Sequence, residues 1–102
     1  MEIIWTKRAI THLEDIHKFY EEKSLITANR IYNSLLDSVE PLKDFPQLAQ
    51  KVSVSKNIKR EYRSLVVKRT FKIIYYINQG RILIVAILDC RQGPETNKKK
   101  IQ

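Results

Sequence analysis

The stretch KRTFKIIYYINQGRILIVAILDCRQ, residues 68–92, decides how the fold of this chain is interpreted. It holds two runs of mostly β-branched and aromatic residues, 71–77 and 82–88, and the turn NQG at 78–80 lies between them. This pattern is typical of a β-hairpin, because Gly80 can adopt the positive φ that a tight turn requires. The second run is apolar throughout, which predicts a central strand covered on both faces.

The residues just upstream also alternate with the period of a β-strand. Residues 62–67 predict a third strand, and Val52 and Val54 alternate with serines in a shorter one. Pro46 marks the point at which the period changes from 3.6 to 2. The second half of the chain therefore predicts an antiparallel meander.

The first half predicts one strand and two helices. Residues 2–5 form a short β-branched and aromatic strand, and Thr6 is placed to cap a helix over 7–22. Ser24 is placed to cap a second helix, which should kink or end near Glu40 because Pro41 lacks a backbone donor. The short connection makes the helices an antiparallel hairpin. The expected fold is α+β, with an N-terminal strand and helical hairpin packed on an antiparallel β-meander sheet.

Length and composition predict one domain in the cytoplasm. The 102 residues are enough for a single core, which we assign to residues 1–95, with a basic, flexible tail at 96–102. No apolar run approaches the roughly 20 residues that span a bilayer, and the N-terminus lacks the pattern of a signal peptide. One cysteine is consistent with a reducing compartment.

The net charge of +8 is concentrated in the second half of the chain. Residues 1–50 hold 6 Lys/Arg against 8 Asp/Glu, whereas residues 51–102 hold 13 Lys/Arg against 3 Asp/Glu. Such asymmetry favours an anionic partner, either nucleic acid or an acidic protein.

The usual signatures of a metal or cofactor site are missing. Two glycines cannot build a phosphate-binding loop, and we interpret His12 and His17, five residues apart, as solvated histidines rather than metal ligands. We interpret Cys90 as a small residue at the end of a strand. No cofactor is expected.

Three cations stand on or beside the predicted strands: Arg63, Lys72 and Arg91. In an antiparallel meander they can converge on one concave face, where arginine binds phosphate or carboxylate in a bidentate manner. They are the candidate residues for binding a target or a partner.

Several segments together resemble the RelE/ParE superfamily of toxins from bacterial type II toxin–antitoxin systems. They are IIWT at 3–6, the apolar stripe of the first helix, LKDFP at 42–46, EYRSL at 61–65, FKIIY at 71–75 and LDCRQ at 88–92. The resemblance implies a helical hairpin across an antiparallel sheet. It also implies growth inhibition, a link to plasmid stabilisation, and a cognate antitoxin that wraps and silences the toxin. The antitoxin is expected to be acidic, to match the basic half.

The superfamily divides by mechanism. RelE-like members cut mRNA in the ribosome without metal, whereas ParE-like members poison DNA gyrase and are not nucleases. Arg63, Lys72 and Arg91 match basic positions of the nucleases, although Lys72 stands where arginine is usual. A proton-transfer residue near the C-terminus is missing, and no spacing selects Glu61, Tyr75 or Glu95 for that role.

The long helical hairpin and its ending at Phe45 and Pro46 favour the ParE-like branch. We therefore expect a cytoplasmic toxin that is neutralised by an antitoxin and acts on gyrase. One alternative is a ribosome-dependent endoribonuclease that uses the three cations around the scissile phosphate. Another is a non-toxic nucleic-acid-binding module. The sequence leaves open the target, the toxin's activity, the antitoxin's identity and the oligomeric state.

Overall fold

Five strands and two helices make up the computed structural model, which describes residues 1–53 and 60–90. In chain order the elements are β1 (Glu2–Trp5), α1 (Lys7–Glu21), α2 (Leu25–Ser38), a 3₁₀ helix (Glu40–Lys43), β2 (Gln50–Val52), β3 (Tyr62–Val67), β4 (Phe71–Asn78) and β5 (Arg81–Asp89). The predicted α+β class is confirmed. Within the part of the chain that the structure describes, no helix has the length and apolar character needed to cross a bilayer.

The sheet has the strand order β1-β5-β4-β3-β2. Strands β2 to β5 form the predicted antiparallel meander. Strand β1 adds to the free edge of β5 in parallel, with Glu2 opposite Arg81 and Trp5 opposite Ile84. This pairing, which the sequence did not predict, gives β5 a hydrogen-bonded neighbour at each edge. Among residues 1–53 and 60–90 the helices cover only one of its faces, so the predicted cover of both faces is not confirmed.

Both helices begin at the predicted capping residues. The Thr6 hydroxyl accepts a hydrogen bond from the backbone N–H of Ala9 (3.3 Å), and the Ser24 hydroxyl accepts one from Thr27 (3.2 Å). Such caps satisfy donors that the first turn of a helix leaves unpaired. Helix α2 ends at Ser38, and Pro41 lies in the first turn of the 3₁₀ helix, where its missing N–H costs nothing.

The two helices cover one face of the sheet, which we call the helix face. Its core includes Leu13 and Ile16 of α1, Leu35 of α2, and the strand residues Phe71, Ile73, Tyr75, Ile82, Ile84 and Ile87. A second, smaller cluster lies on the opposite face, which we call the outer face, and contains Tyr62, Ile74, Ala86 and Leu88. Neither helix contributes to it. A β-bulge near Ile74 and Tyr75 shifts the register of β4 against β5.

His12 of α1 is a buried structural residue. Its side chain is 9% exposed, and Nδ1 accepts a hydrogen bond from the backbone N–H of Ile87 (3.1 Å). The pairing of β5 with β1 ends at Ile84, so β1 offers no acceptor to the backbone N–H of Ile87. The His12 ring supplies that acceptor instead. The interpretation of His12 as solvated is therefore wrong: it shares the apolar stripe of Ala9, Leu13 and Ile16.

Candidate functional site

Arg63, the first candidate, lies on the helix face of β3 and is buried. Its Cα stands opposite that of Tyr75, and the residue is 9% exposed. One terminal nitrogen of the guanidinium donates to the carbonyl of Ala49 at 2.8 Å and to that of Gln47 at 3.4 Å. The cation is therefore committed to the protein's own backbone.

Tyr75 holds the same segment, residues 46–49, from the neighbouring strand. Its hydroxyl donates to the carbonyl of Pro46 at 2.8 Å. Three carbonyls of this irregular segment thus accept hydrogen bonds from side chains of β3 and β4. These bonds take the place of the backbone hydrogen bonds that a strand or a helix would provide. Leu48, within the segment, is 60% exposed, and Phe45, just before it, is 64% exposed.

Lys72, the second candidate, lies on the outer face of β4. It alternates with Phe71 and Ile73, whose side chains belong to the helix-face core. Lys72 is exposed, and its Cα stands opposite that of Val66, which is 57% exposed. Lys72 is thus presented to solvent beside a small apolar side chain.

The structure does not bring Arg63 and Lys72 together, because they lie on opposite faces of the sheet. The expectation that they converge on one face is wrong for this pair. The signal was present in the sequence: Arg63 shares the strand period of Leu65 and Val67, whose side chains pack on the helix face. Arg91 falls outside the described residues, and its role as a candidate stays a prediction.

Two further cations, Lys68 and Arg69, begin the stretch KRTFKIIYYINQGRILIVAILDCRQ. They form the turn between β3 and β4, and both are exposed. Both adopt positive φ, 54° and 58°, a region that non-glycine residues seldom occupy. The sequence signals this setting, because the three residues between β3 and β4 include neither glycine nor asparagine. With Lys72 they make one end of the sheet basic.

Burial raises the pKa of the Tyr75 phenol above its ordinary value, only partly offset by the backbone of Ala49 and the charge of Arg63. The phenol of the unfolded chain ionises near pH 10. The neutral phenol of Tyr75 therefore contributes to the stability of the fold below about pH 10, and this contribution is lost as the pH rises through the pKa of the folded state.

We expect Tyr75→Phe to lower the free energy of unfolding by about 1 kcal/mol at neutral pH. The gap to wild type should narrow above about pH 10, measured by urea unfolding at each pH. An unchanged gap would contradict this assignment.

Glu61, another residue considered for proton transfer, forms a surface ion pair with Lys51 at 2.6 Å. Its pKa is lowered, first by the hydrogen bond from Lys51 and further by the charges of Lys51 and Arg63. A carboxylate held in its ionised form this way is a poor general acid at neutral pH.

An open pocket is lined by mostly polar residues of α1 and α2. Here His17 and the side-chain oxygen of Asn29 lie 2.8 Å apart, and Glu21 approaches the other ring nitrogen at 3.4 Å. Tyr32 meets the His17 ring edge-to-face. The contacts tie α1 to α2. Within residues 1–53 and 60–90, no group of three or more His, Cys, Asp or Glu residues is arranged to hold a metal ion.

Comparisons with known proteins agree with this architecture. Residues 3–94 match the family described as "ParE toxin of type II toxin-antitoxin system, parDE". The chain is also similar to a solved structure of the chromosomal ParDE toxin–antitoxin system from P. aeruginosa. The TM-score is 0.73 at 23% identity, over 87% of this chain and 95% of that one. Among curated proteins, none matches significantly.

Proposed function

Because the chain belongs to the ParE family of type II toxin–antitoxin systems, we propose that it acts as a toxin on DNA gyrase and that it does so without cutting nucleic acid. Membership in the family implies an antitoxin partner. The proposal concerns the target and the mechanism. Protein–protein contacts, rather than a catalytic site, would then carry the toxicity.

The observation that carries the proposal is the placement of Arg63. Cleaving RNA through its 2′-hydroxyl needs cations gathered around the scissile phosphate as charge develops there. The guanidinium of Arg63 is buried on the helix face against the carbonyls of Ala49 and Gln47, whereas Lys72 is exposed on the outer face. These two candidates cannot reach one phosphate in this arrangement. This separation supports a toxin that is not a nuclease.

The residues considered for proton transfer support the same proposal. The Tyr75 hydroxyl is bonded to the carbonyl of Pro46, and the residue has no exposed surface. Glu61 is paired with Lys51. A general acid or base has to reach the proton that it transfers, which the buried Tyr75 hydroxyl cannot do, and an ionised Glu61 has no proton to give. Glu95 lies outside the described residues.

We propose further that the antitoxin is acidic where it meets the outer face. Lys72 and Val66 stand opposite each other there and are both exposed, so they offer a charge beside an apolar contact. An amphipathic segment with acidic residues complements such a pair. The basic second half of the chain would also speed the encounter, since complementary charge raises association rates.

Two assays on the purified chain test the target. We expect the toxin to inhibit DNA supercoiling by gyrase and to leave mRNA intact on translating ribosomes, and we expect added antitoxin to restore supercoiling. In cells, expression without the antitoxin should arrest growth, and co-expression should restore it.

Cleavage of ribosome-bound mRNA with normal supercoiling would overturn the proposal in favour of a ribosome-dependent endoribonuclease. Normal growth at verified levels of soluble protein would instead favour a non-toxic nucleic-acid-binding module. The control for the supercoiling assay is Phe71→Ala, which should inhibit gyrase less than wild type because the loss of a large core side chain destabilises the fold.

A further inference from the structure

The turn between β3 and β4 keeps two cations in an unfavourable backbone conformation. Lys68 and Arg69 have φ of 54° and 58°. Positive φ brings the Cβ atom of an L-residue against its own backbone, so turns in which two successive residues have positive φ favour Asn-Gly or Asp-Gly at those positions. A lysine followed by an arginine is among the less stable choices for these two positions.

The second hairpin of the same sheet provides an internal comparison. Its turn between β4 and β5 also has two residues with positive φ, Gln79 at 51° and Gly80 at 74°. There, glycine occupies the second position, which Arg69 fills in the first hairpin. Local rules are broken most often where function requires it. The pair Lys68 and Arg69 is therefore a candidate for a functional rather than a structural role.

Hydrogen bonds hold the turn in place. The backbone N–H of Thr70 donates to the carbonyl of Val67 at 3.2 Å, and the Thr70 hydroxyl donates to the carbonyl of Lys68 at 3.2 Å. The carbonyl of Thr70 in turn accepts from the N–H of Cys90, just past β5, at 2.7 Å. Because the turn is tied to a third strand, both cations project from a fixed position at the end of the sheet.

The charge of this turn is not neutralised by the residues that the structure describes. Other cations are paired: Lys43 with Glu40, Lys51 with Glu61 and Arg81 with Glu2. Within residues 1–53 and 60–90, no carboxylate comes within 4.0 Å of the charged groups of Lys68, Arg69 or Lys72. Asp89 ends β5 nearby, but it is buried opposite Phe71 and makes a contact of its own.

We propose that the turn formed by Lys68 and Arg69 binds the phosphodiester backbone of DNA. A protein interface depends on apolar and aromatic anchors at its centre, where arginine is enriched but lysine is depleted. The turn residues 68–70 are all polar, so they offer no such anchor. Contacts to DNA phosphates need little more than cations and hydrogen-bond donors, and they carry no base specificity. The inference does not depend on gyrase being the target.

The test uses the full 102-residue chain and a fluorescently labelled DNA duplex of arbitrary sequence. Binding is measured by anisotropy from about 50 to about 200 mM salt. The double variant Lys68→Asn, Arg69→Gly removes both charges and supplies the residues that the turn favours. We expect its slope of log affinity against log salt to be shallower by about 1.8, since each phosphate contact contributes about 0.9. We also expect its thermal midpoint to rise by about 4 °C or more.

Two control variants separate charge from backbone strain. Gln79→Asn relieves the same conformation in the other hairpin without removing charge, so it should leave DNA binding unchanged. The pair Lys18→Asn, Arg30→Asn removes two exposed charges from the helical hairpin and should change the slope much less than the turn variant does.

Three outcomes would overturn the proposal. One is that the wild-type chain does not bind the duplex at low salt. Another is that the turn variant binds the duplex as tightly as wild type. The third is that the turn variant keeps its DNA affinity but loses binding to poly-glutamate, which would assign the turn to an acidic polypeptide instead.

Discussion

Replacing Arg63 with alanine is expected to lower the free energy of unfolding by about 3 kcal/mol. Hydrogen bonds from a charged group contribute roughly 1.5–3 kcal/mol, and a buried carbonyl left without a donor costs roughly 1–3 kcal/mol. The substitution removes the donor to Ala49 and Gln47, and segment 46–49 would then depend on Tyr75 alone among the strand side chains. The measurement is urea unfolding at neutral pH, where the midpoint should fall with little change in slope.

Lys72→Ala is the matched control for Arg63→Ala. Lys72 is exposed on the outer face, so its removal should change the free energy of unfolding by less than about 0.5 kcal/mol. Arg63→Met tests the cause, because it keeps most of the side-chain volume but none of the donors. If Arg63→Met were as stable as wild type, the bonds to segment 46–49 would contribute nothing net, and Arg63 would be free for another role.

Phe71→Ala is expected to have the largest effect on stability, a loss of about 4 kcal/mol. Truncating a buried phenylalanine typically costs 3–5 kcal/mol, because apolar contact is lost and a cavity remains. Phe71 is 1% exposed, opens β4, and meets the ring of Tyr20 edge-to-face at 6.3 Å. Since a domain of this size is stable by only about 5–15 kcal/mol, the loss would remove a large share of the total stability.

Phe45→Ala makes the same chemical change at an exposed position and serves as its control. Phe45 is 64% exposed, so its truncation should cost less than about 0.5 kcal/mol. Thermal and urea unfolding of both variants give the comparison. Equal losses for the two phenylalanines would mean that Phe71 does not contribute to the core as its burial indicates.

Periodicity predicted most of the fold, because each element follows from residues close together in the chain. The caps Thr6 and Ser24, the strands β3 to β5 and the glycine turn all depend on local signals, and the structure confirms them. The family match confirms the resemblance to ParE toxins. The parallel pairing of β1 with β5 was missed, since no local pattern states which distant edge a short strand joins.

The candidate site was harder to predict, because one residue of strand period decides which face a side chain occupies. Arg63 follows Tyr62 and precedes Ser64, and cations are rarely buried, so exposure was the natural expectation. Burial of the Arg63 cation requires backbone carbonyls that accept its hydrogen bonds. They belong to Gln47 and Ala49, which lie 16 and 14 residues earlier in the chain, so no local pattern reveals them. Lys72 is exposed, because a cation between two apolar neighbours of an alternating strand lies on the face opposite to theirs.

The parallel pairing of β1 with β5 also sets the order in which this chain can mature during synthesis. Glu2 has its partner in Arg81, far along the sequence, so this edge of the sheet cannot close until β5 has been made. Both helices are made before the strands β3 to β5 that bury their apolar faces. Closing so long a loop costs conformational entropy that only the final contacts offset. The nascent chain therefore cannot complete its sheet before β5 has been synthesised.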